Sequence, residues 1–118
     1  MKKRITSFRH ALNGLATALK RDLHIRLHLV ATIVCVALAL ILGISTTEWF
    51  AILLAIGLVI VSELINTALE ILCDKVSPDY DSAIGKIKDI SAGAVLIAAL
   101  IAAIIGIIVF LPRLFDLF

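Results

Sequence analysis

Trp49-Phe50-Ala51-Ile52-Leu53-Leu54-Ala55-Ile56-Gly57-Leu58-Val59-Ile60-Val61-Ser62-Glu63-Leu64-Ile65-Asn66-Thr67-Ala68-Leu69-Glu70-Ile71-Leu72-Cys73-Asp74 begins as a membrane span and ends as an acidic stripe. The part from Trp49 to about Leu69 has the length a hydrocarbon core demands, roughly 20 residues at helical rise. No polar side chain apart from the Trp49 indole interrupts it before Ser62. Two further stretches match it, Leu27 to Ile44 and about Ile90 to Leu111. Hydrophobic residues make up 62% of the 118 and charged residues 17%, with a mean hydropathy of +1.14. That composition excludes an ordinary soluble domain and predicts an all-α membrane protein with three spans.

The cations set the expected orientation, because topology follows Lys and Arg in short loops. Lys2, Lys3, Arg4, Arg9, Lys20, Arg21 and Arg26 precede or open the first span, and Lys75, Lys86 and Lys88 lie between the second and third. The Gly43 to Glu48 turn has none, and only Arg113 follows the third span. The N-terminus and the 73–88 loop are therefore expected in the cytoplasm and the C-terminus outside, in a multi-pass inner (plasma) membrane protein. The basic start is not followed by apolar sequence until Leu27, so no cleaved signal peptide is read. Cys35 and Cys73 have no metal-ligand spacing and are expected as free thiols.

Ahead of the spans, Ile5, Phe8, Leu12, Leu15 and Leu19 recur at spacings of three and four among basic and polar residues. This predicts an amphipathic surface helix over about 5–21, lying in the cytoplasmic interface; a simple electrostatic anchor to anionic lipid is the plainer alternative. Ser45, Thr46 or Thr47 is placed to cap the second span and to make a hairpin with the first. Ser77-Pro78-Asp79 is expected to break the helix leaving that span, and Pro112 to close the third. No repeat or second domain is visible, and residues 1–118 read as one membrane-embedded domain.

At ~100° per residue, Glu63, Glu70 and Asp74 fall within roughly 40° of one another on a helix, with Asn66 ~60° to one side. A charge at mid-membrane costs on the order of 2.5–3.5 kcal/mol even on the lenient insertion scale. For Asp74, emergence into water accounts for the acid. For Glu63, embedded between Ala51–Val61 and Leu64–Ile65, it does not. Acids at i and i+7 with an amide between them suit a hard divalent cation such as magnesium, which takes few carboxylates plus substrate phosphates. That points to phosphoryl transfer.

A second cluster, Gly85-Lys86-Ile87-Lys88-Asp89-Ile90-Ser91-Ala92-Gly93, places Lys88 and Asp89 at the mouth of the third span; snorkelling of Lys88 to headgroups is the plain alternative. Neither a Walker loop nor Gly-x-Gly-x-x-Gly is present. In Arg21-Asp22-Leu23-His24-Ile25-Arg26-Leu27-His28, Asp22 and Arg26 read as a surface ion pair one turn apart. His24 and His28 at i and i+4 offer a weak zinc pair.

The order Glu63-x-x-Asn66-Thr67-Ala68-x-Glu70-x-x-x-Asp74, a loop, then Gly85-x-x-Lys88-Asp89 and Ala94-Val95-Leu96 resembles the central pattern of the small prokaryotic diacylglycerol kinase / undecaprenol kinase family. The resemblance reaches back through Arg26, Asp22 and Gly14-Leu15. It implies a homotrimer of three-span subunits with active sites shared between neighbours. It also implies Glu63 as general base towards a lipid hydroxyl, with Glu70 and Asp22 as ligands for Mg2+. Asn66, Asp74, Lys88 and Asp89 would organise ATP, with Lys3, His10, Asp79 and Asp81 as further nucleotide contacts. Asp22 stands where the family usually has Glu, and His10 where it usually has Tyr.

The partners so implied are ATP, a membrane lipid alcohol, the bilayer and further copies of the chain, with no nucleic acid. Ser7-Phe8-Arg9-His10-Ala11-Leu12-Asn13-Gly14 and Glu48-Trp49 look more like the undecaprenol branch, with diacylglycerol the alternative acceptor. A reading from another class, a cation-coupled transporter using Glu63 and Glu70, predicts acids near mid-membrane without nucleotide contacts.

Overall fold

The computed structural model describes residues 1–118 as four helices: α1 Lys2–Arg21, α2 Leu23–Leu42, α3 Thr46–Val76 and α4 Ser82–Asp116. The last three are each long and apolar enough to cross a membrane. Only 14 of 118 residues are buried, while large apolar side chains such as Ile41, Leu54 and Ile90 face outward. Such a surface is stable against lipid or against another apolar chain, not against water. A radius of gyration of 17.5 Å, against about 13–14 Å for a compact globule of this length, reflects helices that stay extended.

Each helix end has a local cause. Asp22 is extended (φ −114°, ψ 116°) and separates α1 from α2. Its carboxylate accepts from the His24 amide at 2.8 Å, capping the new helix. At the other end of α2, Gly43 adopts the left-handed conformation (φ 63°) that terminates helices. Of the three capping candidates Ser45 takes the role. The Glu48 amide donates to Ser45 Oγ and the Ser45 amide to Glu48 Oε1, a reciprocal capping box. Asp81 caps α4 by accepting from the amides of Ala83 and Ile84.

Between these caps α3 runs 31 residues, about 46 Å at 1.5 Å per residue, which exceeds a hydrocarbon core of about 30 Å. Its excess length carries the acidic stripe past the apolar stretch. The most extensive helix contact is between α3 and α4, and α2 folds back on α3 as the hairpin requires. The three helices share a small core at the hairpin end, where Ala39, Ile44, Ile52 and Val109 are buried together.

Two expectations are corrected here. Pro112 lies inside α4, which continues to Asp116. A proline forfeits its own bond to the carbonyl four residues back, and with the rest of an apolar ladder intact that loss is tolerated. Asp22 makes no ion pair with Arg26; its carboxylate is instead turned to the His24 amide and the Thr67 hydroxyl.

At the hairpin end Arg113 forms an ion pair with Glu48, and its Nη1 reaches the Gly43 carbonyl at 3.5 Å. One guanidinium thus joins the α2 terminus, the first turn of α3 and the end of α4.

Candidate active site

The opposite end of the bundle gathers the chemistry. Along α3 the stripe passes from enclosure to solvent: Glu63, Asn66 and Thr67 are buried, at 4%, 9% and 4% exposure, whereas Glu70 and Asp74 are exposed. The helical period puts them on one face, and α2 and α1 cover its inner part. Thr67 Oγ1 donates to Asp22 Oδ2 at 2.7 Å. This bond draws the α1–α2 break onto α3 three residues from Glu70, a spacing at which helix side chains are neighbours.

Asn66 Nδ2 donates to Glu70 Oε1 at 3.2 Å, and Asn66 Oδ1 is buried with no partner. An unpaired buried carbonyl oxygen is costly. It leaves a hard oxygen beside the Glu70 carboxylate that can serve a donor or a cation. No three His, Cys, Asp or Glu side chains stand close enough together to hold a metal ion by themselves. The oxygen donors at this level are therefore Glu70, Asp22 and Asn66, a set that needs further ligands from elsewhere to complete a coordination sphere.

Nearer the end of α3, a polar cavity of about 230 Å³ lies between Asp74, the 77–81 loop and the start of α4. Asp74, Asp79, Asp81, Lys88 and Asp89 all line it, so five of the expected nucleotide contacts share one space. Lys88 Nζ lies 2.5 Å from Asp74 Oδ1, and Arg21 Nη2 lies 4.0 Å from Asp74 Oδ2. The Lys88 ammonium holds the Asp74 carboxyl below its usual range, and the same hydrogen bond raises Lys88. Both groups are exposed beyond the apolar stretch, so the pair is a weak latch rather than a source of stability. Four carboxylates against one ammonium make a cavity that would repel bare triphosphate. A polyanion could enter it only with its charge neutralised.

Lys3 and His10 are exposed on α1 and make no side-chain hydrogen bond or ion pair with this cluster. Asp81 is shared with its capping role.

The structure adds His28 to the site. His28 is not paired with His24 around a metal; its Nε2 lies 3.1 Å from Glu63 Oε1. The signal was present in the hairpin. His28 and Glu63 are equidistant from the Ser45–Thr46 bond, and two helices of equal rise place such residues at equal depth.

Comparison with known proteins identifies the family. The family model described as prokaryotic diacylglycerol kinase matches residues 9–110, a stretch that contains Asp22, His28, the α3 stripe and the α4 cluster. An undecaprenol kinase of Bacillus subtilis is 33% identical over 92% of this chain and 88% of its own length. A diacylglycerol kinase of Synechocystis is 34% identical over 96% of this chain and 65% of its own length, and the diacylglycerol kinase of Escherichia coli K12 is 28% identical over 80% and 78%. With a match that reaches all four helices and includes the acidic stripe of α3, the chain belongs to the prokaryotic diacylglycerol kinase family.

Proposed function

We propose that this member of a lipid-kinase family transfers the γ-phosphate of ATP to the hydroxyl of undecaprenol, giving undecaprenyl phosphate. The observation that carries a lipid acceptor is the gradient along α3, from Glu63 enclosed among apolar residues to Glu70 and Asp74 in the open. A soluble acceptor has no need of a carboxylate at that depth. A lipid alcohol carries its hydroxyl to the membrane interface, where Glu63 takes its proton as phosphate is transferred. Lys88, Asp89 and the other side chains around the polar cavity position the nucleotide, and Asn66 orients Glu70.

Mg2+, when bound to Glu70 and Asp22 together with the nucleotide, would neutralise phosphate charge. The unpartnered Asn66 oxygen and the exposed Glu70 carboxylate fit that ion.

Undecaprenol is favoured by the character of Ser7–Gly14 and Glu48-Trp49 and by the resemblance to the Bacillus enzyme. Diacylglycerol is the second reading, favoured by the Synechocystis relative. The test offers purified protein in lipid, with radiolabelled ATP and magnesium, undecaprenol and diacylglycerol side by side. Labelled undecaprenyl phosphate is the expected product. Label in phosphatidic acid alone selects diacylglycerol, and label in neither removes the kinase reading.

The basic helix α1 lies in the cytoplasmic interface of the inner membrane, and the active site faces the cytoplasm. A reporter active only in the cytoplasm, fused to Phe118, is expected to stay silent; a strong signal overturns this topology. The working unit is a homotrimer, as the family resemblance implies, because three spans enclose little room for ATP and a lipid together. Native mass spectrometry from mild detergent is expected to show three chains, and a fully active monomer would refute shared sites.

A further inference from the structure

We infer that His28 is a positioning residue for Glu63, reaching it across the α2–α3 hairpin through Nε2; the inference rests on the kinase reading above. Glu63 is 4% exposed, and its carboxylate makes one polar contact within the chain, the imidazole at 3.1 Å. A carboxylate so enclosed needs a partner. It also needs a fixed direction, since a general base works only when one oxygen points at the proton it removes. A ring nitrogen on Oε1 leaves Oε2 to face the acceptor hydroxyl.

The helix that carries the ring is held in place: Thr32 Oγ1 donates to the His28 backbone carbonyl at 2.7 Å, and Ile25, one turn earlier on α2, is buried. His28 also lines an apolar groove of about 240 Å³ with Ala31, Cys35, Ala55, Val59 and Gly106, and its side chain is 32% exposed. The imidazole thus stands between the enclosed Glu63 carboxylate and an apolar groove. Neither the metal-site residues nor the polar cavity supplies Glu63 with a contact of this kind. The nearest candidates on the same face, Asn66 and Thr67, are committed to Glu70 and Asp22.

The test compares His28→Ala with His28→Gln, which returns an amide N–H near the position of Nε2–H. His28→Ala is expected to lower kcat ~10²-fold with KM for ATP within about twofold of wild type, and His28→Gln to recover most of the loss. Wild-type kcat in His28→Ala would overturn the inference, as would a His28→Gln no faster than His28→Ala. A second readout does not depend on turnover. In 15N spectra of the imidazoles, Glu63→Ala should shift His28 and leave His10 and His24 in place. If His28 does not move, the pair is absent even in an active kinase; if it moves while wild type phosphorylates no lipid, the contact stands and the kinase reading falls.

Discussion

Glu63→Gln is expected to lower lipid phosphorylation by ~10²–10⁴-fold while ATP affinity stays near that of wild type. The substitution keeps the shape and polar reach of the side chain but removes its capacity to take a proton. Its position makes the two effects separable. Glu63 lies two helical turns, about 10 Å, from Glu70 along α3, and is buried where Glu70 and Asp74 are exposed. The polar cavity that would hold the nucleotide is lined from Asp74 onward and does not include Glu63. Turnover and nucleotide affinity are therefore measured in one preparation. A large fall in turnover alone supports the base; a fall in both recasts Glu63 as a metal or structural residue; retained turnover removes it from the mechanism.

The features legible in the sequence were those that a single helix carries. Three apolar stretches gave three long helices, and the 3.6-residue period put Glu63, Asn66, Glu70 and Asp74 on one face before any fold was known. Local stop signals hold at some helix ends and fail at another. Ser45 caps α3 and Pro78 lies in the break between α3 and α4, but Pro112 does not end α4. A missing amide is decisive only where water or a turn can take over the freed carbonyl, and an apolar helix offers neither.

What remained hidden depended on contacts between helices. Asp22 reads locally as a partner for Arg26, yet capping His24 and bonding Thr67 employ both of its oxygens in the fold. A charge-assisted contact to a buried partner outweighs an exposed i,i+4 pair worth a few tenths of a kcal/mol. In the sequence Glu48 stands beside Trp49 in the outer turn and Arg113 is the sole cation after the last span. Their pairing follows from the return of α4 along α3 to the hairpin end. Composition gives no register for such a return. The hairpin of α2 and α3 does have one, fixed by its short turn, and the contact between His28 and Glu63 could have been derived from it.

Glu70→Gln is expected to abolish most activity and to weaken apparent magnesium affinity by at least the ~10-fold that loss of even an outer-shell partner costs. The fold should withstand the change, because Glu70 is exposed and a glutamine oxygen can still accept from Asn66 Nδ2 as Glu70 Oε1 does. What is lost is charge. An amide cannot balance a divalent cation beside the phosphate oxygens as a carboxylate can. Excess magnesium should restore part of the rate, which separates a weakened ligand from a damaged fold. Asp22→Asn is the companion measurement. Asparagine caps helices about as well as aspartate, so the α1–α2 break is kept and the loss reports the carboxylate itself. If Asp22 shares the ion, both variants shift the magnesium titration in the same direction. If only Glu70→Gln shifts it, Asp22 serves the fold through His24 and Thr67 alone. A Glu70→Gln titration that overlays wild type would remove Glu70 from the metal site.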